Sequence, residues 1–173
     1  MTTLHTTKQN GQTIAPQPVL RSAATDKVKN WDAIETLNLN LAHVIDLRAR
    51  TKQSYWSAKG GNFYGLHKMF DDFSDELDAM ADEIAARVMI LGGVPAWTPQ
   101  AVAATSKLPL YDSKFVQANQ QIEQLVMSYR EASRHLLPAM HKFLEIDDHV
   151  TAGILTGYAK LLDEQLTFIE AHG

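Results

Sequence analysis

Apolar positions recur along this chain at helical spacing, in four long stretches, with no alternating run that reads as a strand. From Trp31 to about Ala58 they fall at Trp31, Ile34, Leu37, Leu41, Val44, Ile45 and Leu47. The glycines of "GGN" at 60–62 break this first helix, and Asn62 is placed to cap the second. The second stretch is cleaner: Phe63, Leu66, Phe70, Phe73, Leu77, Met80, Ile84, Val88 and Leu91, ended by "GGVP". A connection of about twenty residues follows, with room for one short helix, before a third helix from about Lys114 to Leu144. Pro138 lies inside that helix and is expected to kink or split it. "DDHVT" caps a fourth helix from about Val150 to Glu170. The expected architecture is all-α: an antiparallel four-helix bundle with its long connection between helices 2 and 3, as in ferritin-like bundles.

The polar positions of the second helix raise a chemical question. Between His67 and Glu83 the sequence "HKMFDDFSDELDAMADE" carries one histidine and seven carboxylates. With Phe70 taken as zero and about 100° per residue, the apolar residues occupy one stripe, roughly −80° to +20°. His67, Asp71, Asp78 and Asp82 fall at about 60°, 100°, 80° and 120°, forming a second stripe on one flank of the first. Asp72, Glu76 and Glu83 point elsewhere and read as solvated acids. His67–Asp71 and Asp78–Asp82 are each i, i+4 pairs, able to offer two ligands to a hard or borderline cation. Yet His67 and Asp82 stand about 22 Å apart along a helix rising 1.5 Å per residue. One chain cannot bring both to one ion, whereas two antiparallel copies related by a two-fold axis can.

The Glu-x-x-His motifs of an intra-bundle di-iron site are absent from the sequence. Glu131 and His135 are spaced by four, which suits a surface pair, and His43 with Asp46 reads as a local structural pair. With no cysteine there is neither a disulfide nor a thiolate site. No apolar run is long enough to cross a bilayer and no apolar leader segment stands at the start, so a cytoplasmic protein without a membrane partner is expected.

Charge divides the chain into two domains. Residues 1–30, rich in Thr, Gln and Pro, carry Lys8, Arg21, Lys27 and Lys29 against Asp26 alone, a net of +3. The remaining residues, 31–173, carry −7 of a total of −4. The first segment reads as a flexible, mildly basic arm on an acidic bundle, and its four cations are the candidate contacts to DNA.

The block "TKQSYWSAKGGNFYGLHKMFDDF…DEIAARVMILGGV" and the closing "TAGIL…LLDEQLTFIEAH" resemble the Dps (DNA protection during starvation) miniferritins from about Lys29 to Glu170. The resemblance implies a hollow homododecamer that stores iron, oxidises Fe(II) at sites shared across two-fold interfaces, protects DNA during stress and associates with the bacterial nucleoid. Carried onto this sequence, it makes His67 and Asp71 metal ligands from one subunit and Asp82 a ligand from the next. Two positions depart from the family pattern. Tyr55 stands before Trp56 where a histidine is usual, and Ala86 stands where a bridging glutamate is usual. Tyr55, and Asp78 or Asp75 near the same stripe, are the candidates to compensate. The iron site is therefore atypical, holding one Fe(II) or another divalent metal with partial occupancy. Two readings stay open: a ferroxidase and storage cage, or a cage without efficient ferroxidase activity that protects DNA by binding it or by passive sequestration.

Overall fold

The computed structural model describes the backbone of residues 8–9, 12–13, 27–57, 59, 62–114 and 117–173, with side chains in the first helix from Trp31 onward. Five helices follow one another: α1 (Lys27–Ser57), α2 (Phe63–Ile90), the short α3 (Pro99–Thr105), α4 (Ala118–Glu145) and α5 (His149–Glu170). Two 2-residue strands, β1 (Lys8–Gln9) and β2 (Gln12–Thr13), pair antiparallel near the start. The register pairs Lys8 with Thr13 and Gln9 with Gln12, and the bundle that follows is all-α as expected. The rest of the proposed arm, Arg21 included, lies outside the described residues. Lys27 and Lys29 belong instead to the first turn of α1, so the helix begins four residues earlier than its apolar pattern does.

Helices α1 and α2 form one hairpin, α4 and α5 the other, with α1 against α4 and α2 against α5. Gly60 and Gly61, expected to break α1, also lie outside the described residues. Just before them the Lys59 carbonyl accepts a bond from the Ala118 N–H at 3.3 Å, which sets the end of α1 beside the start of α4. At the opposite end, Arg87 near the close of α2 reaches Asp148 at the α4–α5 turn. The order is thus up, down, down, up, with one crossover between α2 and α4. Leu37, Leu41, Phe70, Leu77, Ile84, Leu125, Leu136, Leu155 and Leu162 are fully or almost fully buried between the hairpins. Each such side chain contributes about 1.5–3 kcal/mol relative to exposure.

The helix ends are well specified. Gly92 (φ 83°) ends α2, with its N–H on the Met89 carbonyl and that of Gly93 on Val88, both 2.9 Å: a Schellman motif. At the end of α4 Asp147 takes the same left-handed role at φ 59°, and Asp148 N–H bonds the Phe143 carbonyl at 2.9 Å. Asp148 then caps α5, accepting from Thr151 N at 3.1 Å. Thr98 caps α3, whereas Asn62 makes no side-chain cap on α2. Pro138 does not split α4, which runs unbroken from Ala118 to Glu145. Its ring is exposed, so the Arg134 carbonyl that loses an N–H partner is on the side open to water.

The crossover is fastened to α1. Ser106 Oγ donates to Asp46 Oδ2 (2.7 Å), Lys107 N–H to His43 Nε2 (3.2 Å), and Ser54 Oγ and Tyr111 Oη share a bond of 2.7 Å. His43 therefore serves this connection rather than Asp46, whose carboxylate is occupied by Arg50 at 2.8 and 2.9 Å.

Candidate metal-binding face

The flank predicted on α2 exists. Leu66, Phe70, Phe73, Leu77, Ile84 and Val88 face the core; beside them His67, Asp71 and Asp78 are half-buried and Asp82 is exposed. Phe63 is the exception on the apolar stripe, 46% exposed at the helix start.

His67 is held on both sides. Its ring stacks on Tyr55 from α1, centroids 3.7 Å apart and planes 21° apart, with Phe63 at 5.1 Å. Its Nδ1 lies 2.9 Å from the Tyr55 backbone carbonyl. A carbonyl only accepts, so the bond requires Nδ1–H, and the neutral ring keeps its Nε2 lone pair free. That is the tautomer of a metal-ligating imidazole oriented by its other nitrogen.

Asp71 is not idle. Lys52 Nζ from α1 lies 2.5 Å from Asp71 Oδ1 and 4.4 Å from the centroid of the Tyr55 ring. The ammonium's hydrogen bond holds the Asp71 carboxyl below the usual carboxylate range and raises Lys52 in turn. This pair is more than a third exposed on both sides, so it contributes little to stability and can yield to a divalent ion. Asp78 is engaged too, with Arg48 Nε at 2.7 Å. Asp82 makes no ion pair or hydrogen bond among the described residues. Ala86, one turn further on, is exposed and offers no donor.

The donors of this face do not converge within one chain: among the described residues no three His, Asp or Glu side chains come together to hold an ion. Nor does the middle of the bundle offer an alternative. There Thr51 and Tyr129 share a 3.3 Å bond, Tyr129 Oη donates to Gln165 Oε1 at 2.8 Å, and Gln165 Nε2 donates to Glu76 at 2.7 Å. Burial pushes the Tyr129 phenol far up. Neutral amide and hydroxyl groups, with Glu76 at their edge, fill the space where an intra-bundle site would need several carboxylates. His135 sits 3.2 Å from Glu131 as its spacing suggested, but its ring also meets the buried His43 at 4.8 Å. His43 accepts at Nε2, so a neutral ring carries its proton on Nδ1, which leaves neither nitrogen for a metal.

Lys52 and Arg48 are the participants that periodicity along α2 could not find, because both lie on α1. A signal did exist: Lys52 stands four residues before Trp56 in "TKQSYW", one turn below the tyrosine it touches.

Four long helices with a single crossover, and a ligand flank on the second helix, define a ferritin-like protein. Residues 34–172 match the model of the ferritin-like domain. The DNA protection during starvation protein of Agrobacterium fabrum is 38% identical over 139 residues, spanning 80% of this chain and 86% of that one. Among solved structures, the tetragonal form of Mycobacterium smegmatis Dps superposes with a TM-score of 0.80 at 26% identity, covering 85% of this chain and 88% of that chain. DpsC from Streptomyces coelicolor shares the fold, with a TM-score of 0.83 at 24% identity over 87% of this chain and 88% of its own. The chain belongs to the Dps branch of the ferritin-like family.

Proposed function

We propose that twelve copies of this chain form a hollow shell that takes in Fe(II), oxidises it slowly at sites between paired copies, stores it and thereby protects DNA from oxidative damage. The observation that carries this reading is the divided donor set. His67 presents Nε2 beside Asp71, and Asp82 waits unpaired about 22 Å along the same helix. Two antiparallel copies bring His67 and Asp71 of one to Asp82 of the other, enough for one divalent ion completed by water. Around His67 the chain exposes Trp56 (71%), Tyr64 (82%) and part of Phe63, apolar surface that suits a covering partner. The residues fit one Fe(II), or another divalent ion, better than a coupled pair of irons.

Ala86 and Tyr55 favour a second reading, a cage with the same shell but little ferroxidase activity. The two part on the rate of Fe(II) oxidation by the purified protein with hydrogen peroxide and with oxygen. The first reading expects slow oxidation that rises in a Tyr55→His, Ala86→Glu double variant and vanishes in His67→Ala. Rapid oxidation of two irons per site by the wild type would overturn the single-ion assignment. A stable monomer or simple dimer in light scattering at micromolar concentration would overturn the shell.

No described helix is long and apolar enough to cross a membrane, and a cytoplasmic location at the nucleoid fits the reading. DNA contact is assigned to the arm and the first turn of α1, through Lys8, Arg21, Lys27 and Lys29 multiplied over twelve copies. Deleting residues 1–30 is expected to abolish gel retardation, and wild-type binding to weaken steeply with salt.

A further inference from the structure

Converting hydrogen peroxide to water and hydroxide takes two electrons, and one Fe(II) supplies only one. Paired irons meet this demand by giving one electron each. The face described above has donors for a single ion, because Ala86 provides no bridging carboxylate and Asp78 is turned to Arg48. A lone Fe(II) acting unaided would cleave the O–O bond and release hydroxyl radical, the opposite of protection. An oxidisable side chain beside the ion can supply the missing electron.

Tyr55 is the oxidisable group in contact with the metal-ligating histidine. Its ring lies on His67 at 3.7 Å between centroids, nearly parallel, and the bond from His67 Nδ1 to the Tyr55 carbonyl fixes the two rings relative to each other. The stack uses the flat face of the imidazole and leaves the Nε2 edge to the ion. Trp56 meets the phenol edge-on, with ring centroids 4.7 Å apart. Lys52 holds its ammonium 4.4 Å from the Tyr55 ring. A cation there opposes a radical cation, which favours loss of the phenolic proton together with the electron.

We propose that Tyr55 is the second electron donor in peroxide reduction. The inference rests on the reading that iron binds at His67, Asp71 and a second copy's Asp82. Fe(II) gives one electron and becomes Fe(III); Tyr55 gives one electron and its phenolic proton and becomes a neutral tyrosyl radical. The O–O bond breaks, one oxygen leaves as water carrying the phenolic proton, and the other leaves as hydroxide. A later Fe(II) returns the electron, with a proton from solvent, and restores the phenol. The tyrosine that replaces a usual ligand thus substitutes for the absent iron as a reductant.

The test uses the full assembled protein loaded anaerobically with one Fe(II) per chain, mixed with hydrogen peroxide and frozen for electron paramagnetic resonance. An organic radical is expected whose hyperfine structure changes when the protein carries ring-deuterated tyrosine. In Tyr55→Phe, which keeps the stacked ring, that signal is lost and a hydroxyl-radical spin trap collects severalfold more adduct for the same iron oxidised. Trp56→Phe, a control for local packing, is expected to keep the tyrosyl signal. Iron oxidised with no radical, or with equal adduct in wild type and Tyr55→Phe, overturns the role of Tyr55 alone. A radical that survives in Tyr55→Phe does the same. No iron oxidised by the wild type overturns this role and the functional reading beneath it.

Discussion

The two ends of α2 carry polar clusters of opposite character. Near its C-terminus, Arg87 donates to both oxygens of Asp148 (2.8 and 3.0 Å) and to Thr151 Oγ1 (2.7 Å), while Thr151 returns its hydroxyl and its N–H to Asp148. Arg87 and Asp148 side chains are only 6% and 11% exposed, and both Asp148 oxygens and the Nε and Nη2 donors of Arg87 are used within one chain. Near the N-terminus, His67 leaves Nε2 open, Asp71 leans on the half-buried Lys52, and the rings of Trp56 and Tyr64 lie bare. The first cluster is complete as folded and ties α2 to the α4–α5 turn. The second leaves donors unused within the chain. Polar satisfaction, more than residue type, separates the structural cluster from the functional one.

The closed end should be costly to open. Removing the Arg87 guanidinium strands a carboxylate among its remaining partners, so Arg87→Ala is expected to lose about 3–5 kcal/mol of stability, read by denaturant unfolding. Iron binding per folded chain should not change. A loss of iron binding in protein that remains folded would break the separation between the two ends.

His43, under the crossover, belongs with the closed regions and makes them sensitive to pH. Burial first, then the neighbouring His135, lowers its pKa from 6.5 to about 4, against the pull of Asp46 on α1 and Glu131 on α4; Arg50 adds to the lowering. As pH falls below 6.5 the unfolded chain takes up a proton that the folded chain refuses until about 4. Stability is therefore full above 6.5 and declines through that window, by roughly 3 kcal/mol. Unfolding measured from pH 7 to pH 4 should show the decline, and His43→Gln should flatten it. Below this range Asp148 adds a second loss. Its burial opposes ionisation, but the Thr151 and Arg87 bonds outweigh that and hold it below the usual carboxylate range, so its stabilisation goes as it protonates.

The smallest effect concerns the turn. Asp147 holds a left-handed backbone at φ 59° that a side chain disfavours, so Asp147→Gly is expected to stabilise by about 1 kcal/mol, visible as a raised midpoint. No gain would mean that the aspartate side chain offsets the strain.

Much of this was legible before any coordinates. The apolar stripe of α2 and the flank of His67, Asp71, Asp78 and Asp82 follow from one helix's period, and Asp148 as a cap follows from "DDHVT". Contacts between helices were not legible in that way. Lys52 on Asp71, Arg48 on Asp78 and Arg87 on Asp148 join residues 19, 30 and 61 apart in sequence, and a periodic pattern carries no register between helices. The beginning of α1 was missed for a related reason: its first turn has little apolar content to show the helical spacing. Pro138 was over-read, since an exposed proline in a helix otherwise held by core packing need not end it.

The central claim, that one metal site is divided between two copies, is tested most directly by complementation. His67→Ala and Asp82→Ala proteins are each expected to bind almost no Fe(II) at this face. When the two are co-assembled, every mixed pair contains one site with both substitutions and one with neither. The account predicts that Fe(II) binding, measured by titration on the mixed assemblies, returns at one site per mixed pair. Mixed assemblies that bind no more than the separate variants would contradict it, as would full binding retained by either variant alone.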